Sequence, residues 1–179
     1  MSKPTSGLFH GTKGEASFYG NAETVIAART AELDLSPHPL KRKQLSSKKK
    51  AAIARKIRNR TATREESKSY AWSKRFAHRR REGIRNFYAQ ERERLRNGEQ
   101  GTRNWSAEQK AAILSKSAPT YNGLTMQAHH TYSASRYPHL ANRGEIIYPA
   151  TRLEHLKGWH GGNYKKSLPG RRIVPIHEF

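Results

Sequence analysis

Apolar residues are sparse over the first hundred positions and fall at helical intervals. Ile53 and Ile57 lie four apart, and Trp72, Phe76, Ile84, Phe87, Tyr88 and Leu95 recur at spacings of three, four, seven and eight. Such positions share one face of a helix, and Lys74, Arg75, Arg79, Arg81 and Arg85 fall largely off it, so the pattern predicts a long amphipathic helix. Gly83 weakens its middle, and Asn97-Gly98 marks its end. Upstream, Gly7, Gly11, Gly14, Gly20, Pro37 and Pro39 punctuate a loop-rich lead-in with one short helix expected around residues 22–31.

Past residue 100 the pattern changes. Ser106 followed by Gln109 is a capping box that opens a short helix through Ala111, Ile113 and Leu114. Pro119 and Asn122-Gly123 break the chain. Residues 124–130 read as a short strand entering a loop, and residues 145–148 as a second strand bounded by Gly144 and Pro149. Thr151 and Glu154 form another capping box, which starts a helix at Arg152, puts His155 in its first turn and leaves Gly158 to end it. The expected fold is therefore α+β, with basic amphipathic helices ahead of a strand, loop, strand, helix unit.

Composition divides the chain in the same way. The 179 residues suffice for one ordinary domain, or for a small catalytic domain behind a helical arm. Three parts are expected: a lead-in over 1–40, a basic helical region over 41–100 and a catalytic domain over 101–179. The middle part holds 21 Lys or Arg against six Glu, a net of +15 out of the +21 carried by the chain. A field of that size, with a pI of about 10.7, concentrates polyanions, and nucleic acid is the leading partner. An anionic membrane surface or an acidic masking protein fits the same charge.

Cysteine is absent, which excludes disulfides and thiolate metal sites, so any metal must be held by His, Asp, Glu or Asn. No apolar run approaches the roughly 20 residues that span a bilayer, and residues 1–20 lack a hydrophobic signal core. Export would then depend on a separate carrier.

Six of the nine histidines lie from His129 onward. Hydrolysis of a phosphodiester calls for a metal ion to stabilise developing charge and a base to take the proton from water. Adjacent histidines on an extended segment point to opposite sides and can divide this labour. In that scheme His129 is a ligand, His130 the general base, and His155 and His160 complete a three-imidazole site. The competing reading is a solvated or phosphate-contacting surface pair, with Tyr148, Leu153 and Trp159 as plain core.

The segments Gln127-Ala128-His129-His130-Thr131-Tyr132, Ile147-Tyr148-Pro149-Ala150-Thr151, Glu154-His155 and Gly158-Trp159-His160-Gly161-Gly162-Asn163 resemble the HNH (His-Me finger) nuclease domains that end bacterial polymorphic toxins. These include the "GHH" group on Rhs and contact-dependent-inhibition proteins, with DNase colicins more distant. The resemblance spans roughly residues 100–179. It implies a ββα-metal fold that cleaves nucleic acid, usually DNA, in a competitor's cytoplasm after delivery on a larger carrier, with an acidic cognate immunity protein protecting the producer. By the resemblance His129, His155 and His160 match metal ligands and His130 the general base.

Three positions depart from the family. Colicin-like domains space the last two ligands by four residues, and here they are five apart, awkward on a continuous helix where i and i+4 share a face. Helix termination at Gly158 is expected to bring His160 round, and a helix unbroken through His160 would remove it from the metal. Ile146 stands where the family often has an Asn bracing the base, and an Ile side chain has no donor or acceptor; Asn142 and Glu145 are the nearby candidates for orienting it. Ala128 replaces the opening Gly of the Gly-His-His signature.

Arg136, Arg143 and Arg152 are the candidates for gripping the scissile strand, and the basic arm for salt-sensitive phosphate affinity. One divalent ion is expected. Three imidazoles suit zinc, nickel or another transition ion, while hydrolysis with open positions also suits magnesium or manganese. Two rival readings stand: a non-enzymatic basic nucleic-acid-binding module with structural histidines, and an RNase on the same fold.

Overall fold

A computed structural model describes residues 22–39 and 44–179. Gly7, Gly11, Gly14 and Gly20 of the expected lead-in, and Lys41, Arg42 and Lys43 of the basic region, lie outside the described residues.

Helix α1 (Ala22–Thr30) buries Ala22, Val25, Ile26 and Thr30. Nine residues are too few for a stable isolated helix, so its order rests on docking. Ala22 and Ile26 pack with Tyr148, Ala150 and Trp159, and Glu23 pairs with Arg172 at 3.1 Å. Helix α2 (Ser47–Arg58) is capped by Ser46 and buries only Ile53, while Ile57 of the expected stripe is 38% exposed.

Helix α3 (Arg64–Arg96) is the long amphipathic helix that the periodicity predicts, opened by a Thr63/Glu66 capping box and closed at Asn97, with Gly98 at φ 77°. It runs unbroken through Gly83. Glycine there costs about 1 kcal/mol relative to alanine, but a β-carbon would lie 2.4 Å from the carbonyl oxygen of Ala141. Close packing therefore outweighs propensity.

The apolar face of α3 is the floor on which the rest of the chain is built. Phe87 packs with Tyr137, Leu140, Ile146 and Ile147, and Phe76 with Ala134 and Ala141. These two clusters join residues on both sides of position 100. Glu91, fully buried on the same helix, accepts hydrogen bonds from the Thr102 amide (2.5 Å), the Thr102 hydroxyl (2.6 Å), Trp105 Nε1 (2.6 Å) and Arg94 (2.9 Å). Helix α4 (Ala107–Leu114) begins at the Ser106/Gln109 capping box, and its Ile113 joins Trp105 and Met126 in a further cluster.

The strand expected over 124–130 is two pieces. β1 (Thr120–Tyr121) and β2 (Leu124–Thr125) form a hairpin around Asn122 and Gly123, both at positive φ, and Met126 separates this from β3 (Gln127–His130). The second strand also shifts. Gly144–Ile146 is a 3-10 turn, and β4 is Ile147–Ala150, so Pro149 lies within the strand. In a two-stranded ribbon each strand is an edge, where a proline costs no ladder bond on the open side. β3 and β4 pair antiparallel with His129 opposite Tyr148 and His130 opposite Ile147.

After β4 the chain enters a helix at Arg152 behind the Thr151/Glu154 capping box. The expected α+β class is present, with β3, β4 and this helix in ββα order.

Candidate active site

The helix after β4 does not end at Gly158. It is π-helical over Glu154–Trp159, and the His160 amide donates to the His155 carbonyl, five residues back, at 3.2 Å. The expectation of termination at Gly158 is thus corrected. A turn closed by an i→i+5 bond sets residues five apart one above the other, as i→i+4 does in an α-helix. A π turn, rather than an unwound end, brings His155 and His160 level, and it removes the objection that a continuous helix would separate them.

The base of this helix is anchored by a buried ion pair. Arg103 meets Glu154 in a fork at 2.5 and 2.8 Å, and it also donates to the Pro149 and Phe179 carbonyls at 3.0 and 2.6 Å. Its guanidinium lies 3.8 Å from the centroid of the Phe179 ring. An arginine fully buried in this way is worth its desolvation only with every partner in place. Together they fix β4, the helix start and residues 178–179 to one point.

β3 supplies the other half. His129 and His130 are 3% and 6% exposed, which rules out a solvated surface pair. His129 stacks on Trp159, ring centroids 4.7 Å apart, and lies within 5.0 Å of the His155 and His160 rings. One nitrogen from each of His129, His155 and His160 falls within 4.8 Å of the others. Tyr148 and Trp159 are core, as the competing reading has it, whereas Leu153 is 47% exposed.

The hydrogen bonds around the cluster decide its protonation. His155 Nδ1 lies 2.5 Å from Gln127 Oε1, and His160 Nδ1 lies 2.6 Å from the Lys166 carbonyl. Both oxygens only accept, so each Nδ1 carries its proton and each Nε2 a lone pair. Those two Nε2 atoms are 3.3 Å apart. His129 Nε2 is buried and has no partner among the described residues. Burial, then the neighbouring His160 and Arg80, pushes the His155 pKa down to about 4; burial, then His155, His160, His130 and Arg80, holds His129 well below its ordinary value. Lone pairs facing each other at this distance repel, and burial disfavours a proton on His129 and His155, so the arrangement fits a cation held by the three imidazoles.

His130 is wired differently. Its Nε2 donates to the Ala141 carbonyl at 3.1 Å, which leaves Nδ1 as a buried lone pair with no partner among the described residues. Burial, then Arg80, lowers its pKa to about 4. It is neutral at neutral pH and able to accept a proton. All four histidines line one cavity of about 540 Å³ with Arg80, Gln44 and Lys165 among its other walls.

The remaining expected residues lie elsewhere. Asn142 is not in the cavity lining; its Oδ1 accepts from Arg79 at 2.7 Å and its carbonyl from Asn86 at 2.9 Å, so it ties the segment carrying the Ala141 carbonyl to α3. Glu145 pairs with Arg143 at 2.9 Å, and neither lines the cavity. Arg152 lines a separate depression beside Tyr121. Arg136 lies in a cavity adjoining that of the histidines. Three residues escaped the sequence reading. Gln127 carried a usable signal, because positions i and i+2 of a strand share a face and His129 is two residues on. Arg80 and Lys165 carried none.

Residues 70–151 match the family model Tox-GHH, described as a GHH-signature-containing HNH/Endo VII superfamily nuclease toxin. The match begins within α3, thirty residues before the resemblance seen in the sequence, includes His129 and His130, and stops short of His155 and His160. No curated protein and no solved structure matches the chain.

Proposed function

We propose, from the match of residues 70–151 to the GHH-signature HNH/Endo VII superfamily nuclease toxin model, that this chain is a metal-dependent endonuclease that cuts DNA, with His129, His155 and His160 holding one divalent ion and His130 acting as general base. The observation that carries the reading is the 3.3 Å approach of His155 Nε2 to His160 Nε2, with both Nδ1 atoms committed to carbonyl oxygens.

A divalent ion held there supplies Lewis-acid stabilisation of the charge that builds on the phosphate and the leaving oxygen. His130 takes the proton of the attacking water at Nδ1, while its Nε2–H remains on the Ala141 carbonyl. Burial, and after it Arg80, holds the histidine neutral beforehand; an anionic phosphate beside it offsets that guanidinium and favours the protonated ring as the proton arrives. Asn142 acts as a positioning residue through Ala141. The ion is magnesium, manganese, zinc or nickel, with softness favouring the transition ions.

The toxin family supports delivery into a target cell on a larger carrier, and the charge of +21 supports neutralisation by an acidic immunity protein. Among the described residues no helix is long and apolar enough to cross a membrane.

The test is plasmid cleavage by wild type and His130→Ala, each stripped with EDTA and then given magnesium, manganese, zinc or nickel, with a structured RNA in parallel. Metal-restored nicking of DNA that falls at least a hundredfold in the variant is expected. DNA binding without cutting under any metal would replace this reading with a basic binding module, and cutting of RNA alone would make the enzyme an RNase.

A further inference from the structure

Two cavities meet beside the histidine cluster. The first holds the four histidines and Arg80. The second, about 390 Å³, is lined by Arg136, Lys165 and Lys166 together with Ser133, Ser135 and Ser167. Ser133, Ser135, Lys165 and Ser167 border both, so the two are one groove running away from the site.

Leu168 and Ile173 complete the second cavity, and the charged side chains of the groove are of one sign. No carboxylate lines either cavity. Arg136, Lys165 and Lys166 are exposed, and none forms an ion pair among the described residues, although Arg29, Arg94, Arg103, Arg143 and Arg172 all do. Three cations without an ion-pair partner among the described residues stand beside three hydroxyls, two of which, Ser133 and Ser135, are hydrogen-bonded to each other at 3.1 Å. Such a set recognises phosphate oxygens, which take about half or more of all hydrogen bonds to nucleic acid. The second cavity has no aromatic ring on which a base could stack, so this part of the groove fits backbone rather than bases.

We propose that the second cavity is a subsite for a phosphate next to the one that is cut, gripped by Arg136 and Lys166. The substrate is then a strand with consecutive phosphodiesters, entering past Arg80 and leaving over the Ser133, Ser135 and Ser167 hydroxyls. This rests on the nuclease reading of the first cavity. It also assigns the strand-gripping role among the three sequence candidates to Arg136 alone, because Arg143 and Arg152 lie off the groove.

The experiment uses the full 179-residue chain and an Arg136→Ala/Lys166→Ala variant. Both side chains are exposed, and the Lys166 carbonyl that orients His160 is retained. Binding of a labelled single-stranded DNA 12-mer in EDTA is measured against potassium chloride. The slope of log affinity against log salt is expected to fall by about 0.7, the value for one lost phosphate contact on a single strand. With metal restored, kcat/KM for the 12-mer is expected to fall roughly tenfold further than that for bis(p-nitrophenyl) phosphate, which has a single phosphodiester. An unchanged salt slope, or equal losses on both substrates, overturns the subsite. A wild-type protein that hydrolyses neither substrate overturns the nuclease reading instead, and the salt slope still decides the subsite.

Discussion

A β-carbon on Gly83 would stand 2.4 Å from the Ala141 carbonyl oxygen, the same oxygen that accepts from His130 Nε2 at 3.1 Å. Helix α3 therefore sets where the anchor of the His130 ring lies. Gly83→Ala is expected to push that carbonyl away, to cost about 1–3 kcal/mol of stability as overpacking does, and to lower cleavage by roughly tenfold or more. Urea melts and plasmid nicking check it; full nicking activity in a destabilised variant would show that the base works without this anchor.

Gln127 fixes the His155 ring through Nδ1. Outer partners of this kind typically cost about 10–100-fold in metal affinity when lost. Gln127→Leu should weaken zinc or nickel binding by that factor in chelator competition, and Gln127→Glu, which keeps an acceptor, should restore most of it. Equal affinity in all three proteins would separate Gln127 from the metal centre.

An ion that binds only the folded chain raises its stability by about 2.7 kcal/mol at a hundred times Kd. For a chain of this size that is a rise of about 5–10 °C in Tm, using 2–4 °C per kcal/mol. Scanning calorimetry with nickel or zinc should show it for wild type and lose it in His160→Ala. A rise that survives in the variant would move the ion elsewhere.

His130 and His155 have pKa values lowered from 6.5 to about 4, in both cases by burial first. Between those values the unfolded chain binds more protons than the folded one, so stability rises with pH. The contribution is complete above about pH 6.5 and is lost as pH falls toward 4. The metal-free protein should melt several degrees lower at pH 5 than at pH 7.5, and a His130→Gln/His155→Gln variant should show a flatter profile. A steep profile retained in that variant would place the acid sensitivity in other groups.

Glu91 joins α3 to Thr102 and Trp105 through three accepted hydrogen bonds and takes a fourth from Arg94 of its own helix. Glu91→Ala leaves those donors and Arg29 buried without their acceptor, and removal of one partner from a buried charged network costs about 3–5 kcal/mol. Urea denaturation measures this directly, and a loss under 1 kcal/mol would mean that water replaces the carboxylate.

Local signals carried the sequence reading furthest. The stripe from Trp72 to Leu95 marked α3, and the Ser106/Gln109 and Thr151/Glu154 pairs marked two helix starts, because capping depends on side chains three residues apart. Strand limits were less legible: Met126 interrupts one strand, and Ile146 belongs to a 3-10 turn, since pairing across β3 and β4 rather than alternation sets the register. The histidines were found by their crowding in the last third of the chain. Arg80 was not, because it lies among eight other lysines and arginines from Lys74 to Arg96 that share its chemistry, and only the packing of α3 against Ala134 and Ala141 turns it toward the site.

The π turn between His155 and His160 loosens the link between counting and distance. A helix that widens by one residue keeps two side chains level while the interval between them grows from four to five, so an insertion at that point changes the spelling of the site and leaves its shape. A pattern written with a fixed gap between the last two histidines would pass over this chain, whereas one that admits either interval, and reads the extra residue as a widened turn, would retain it.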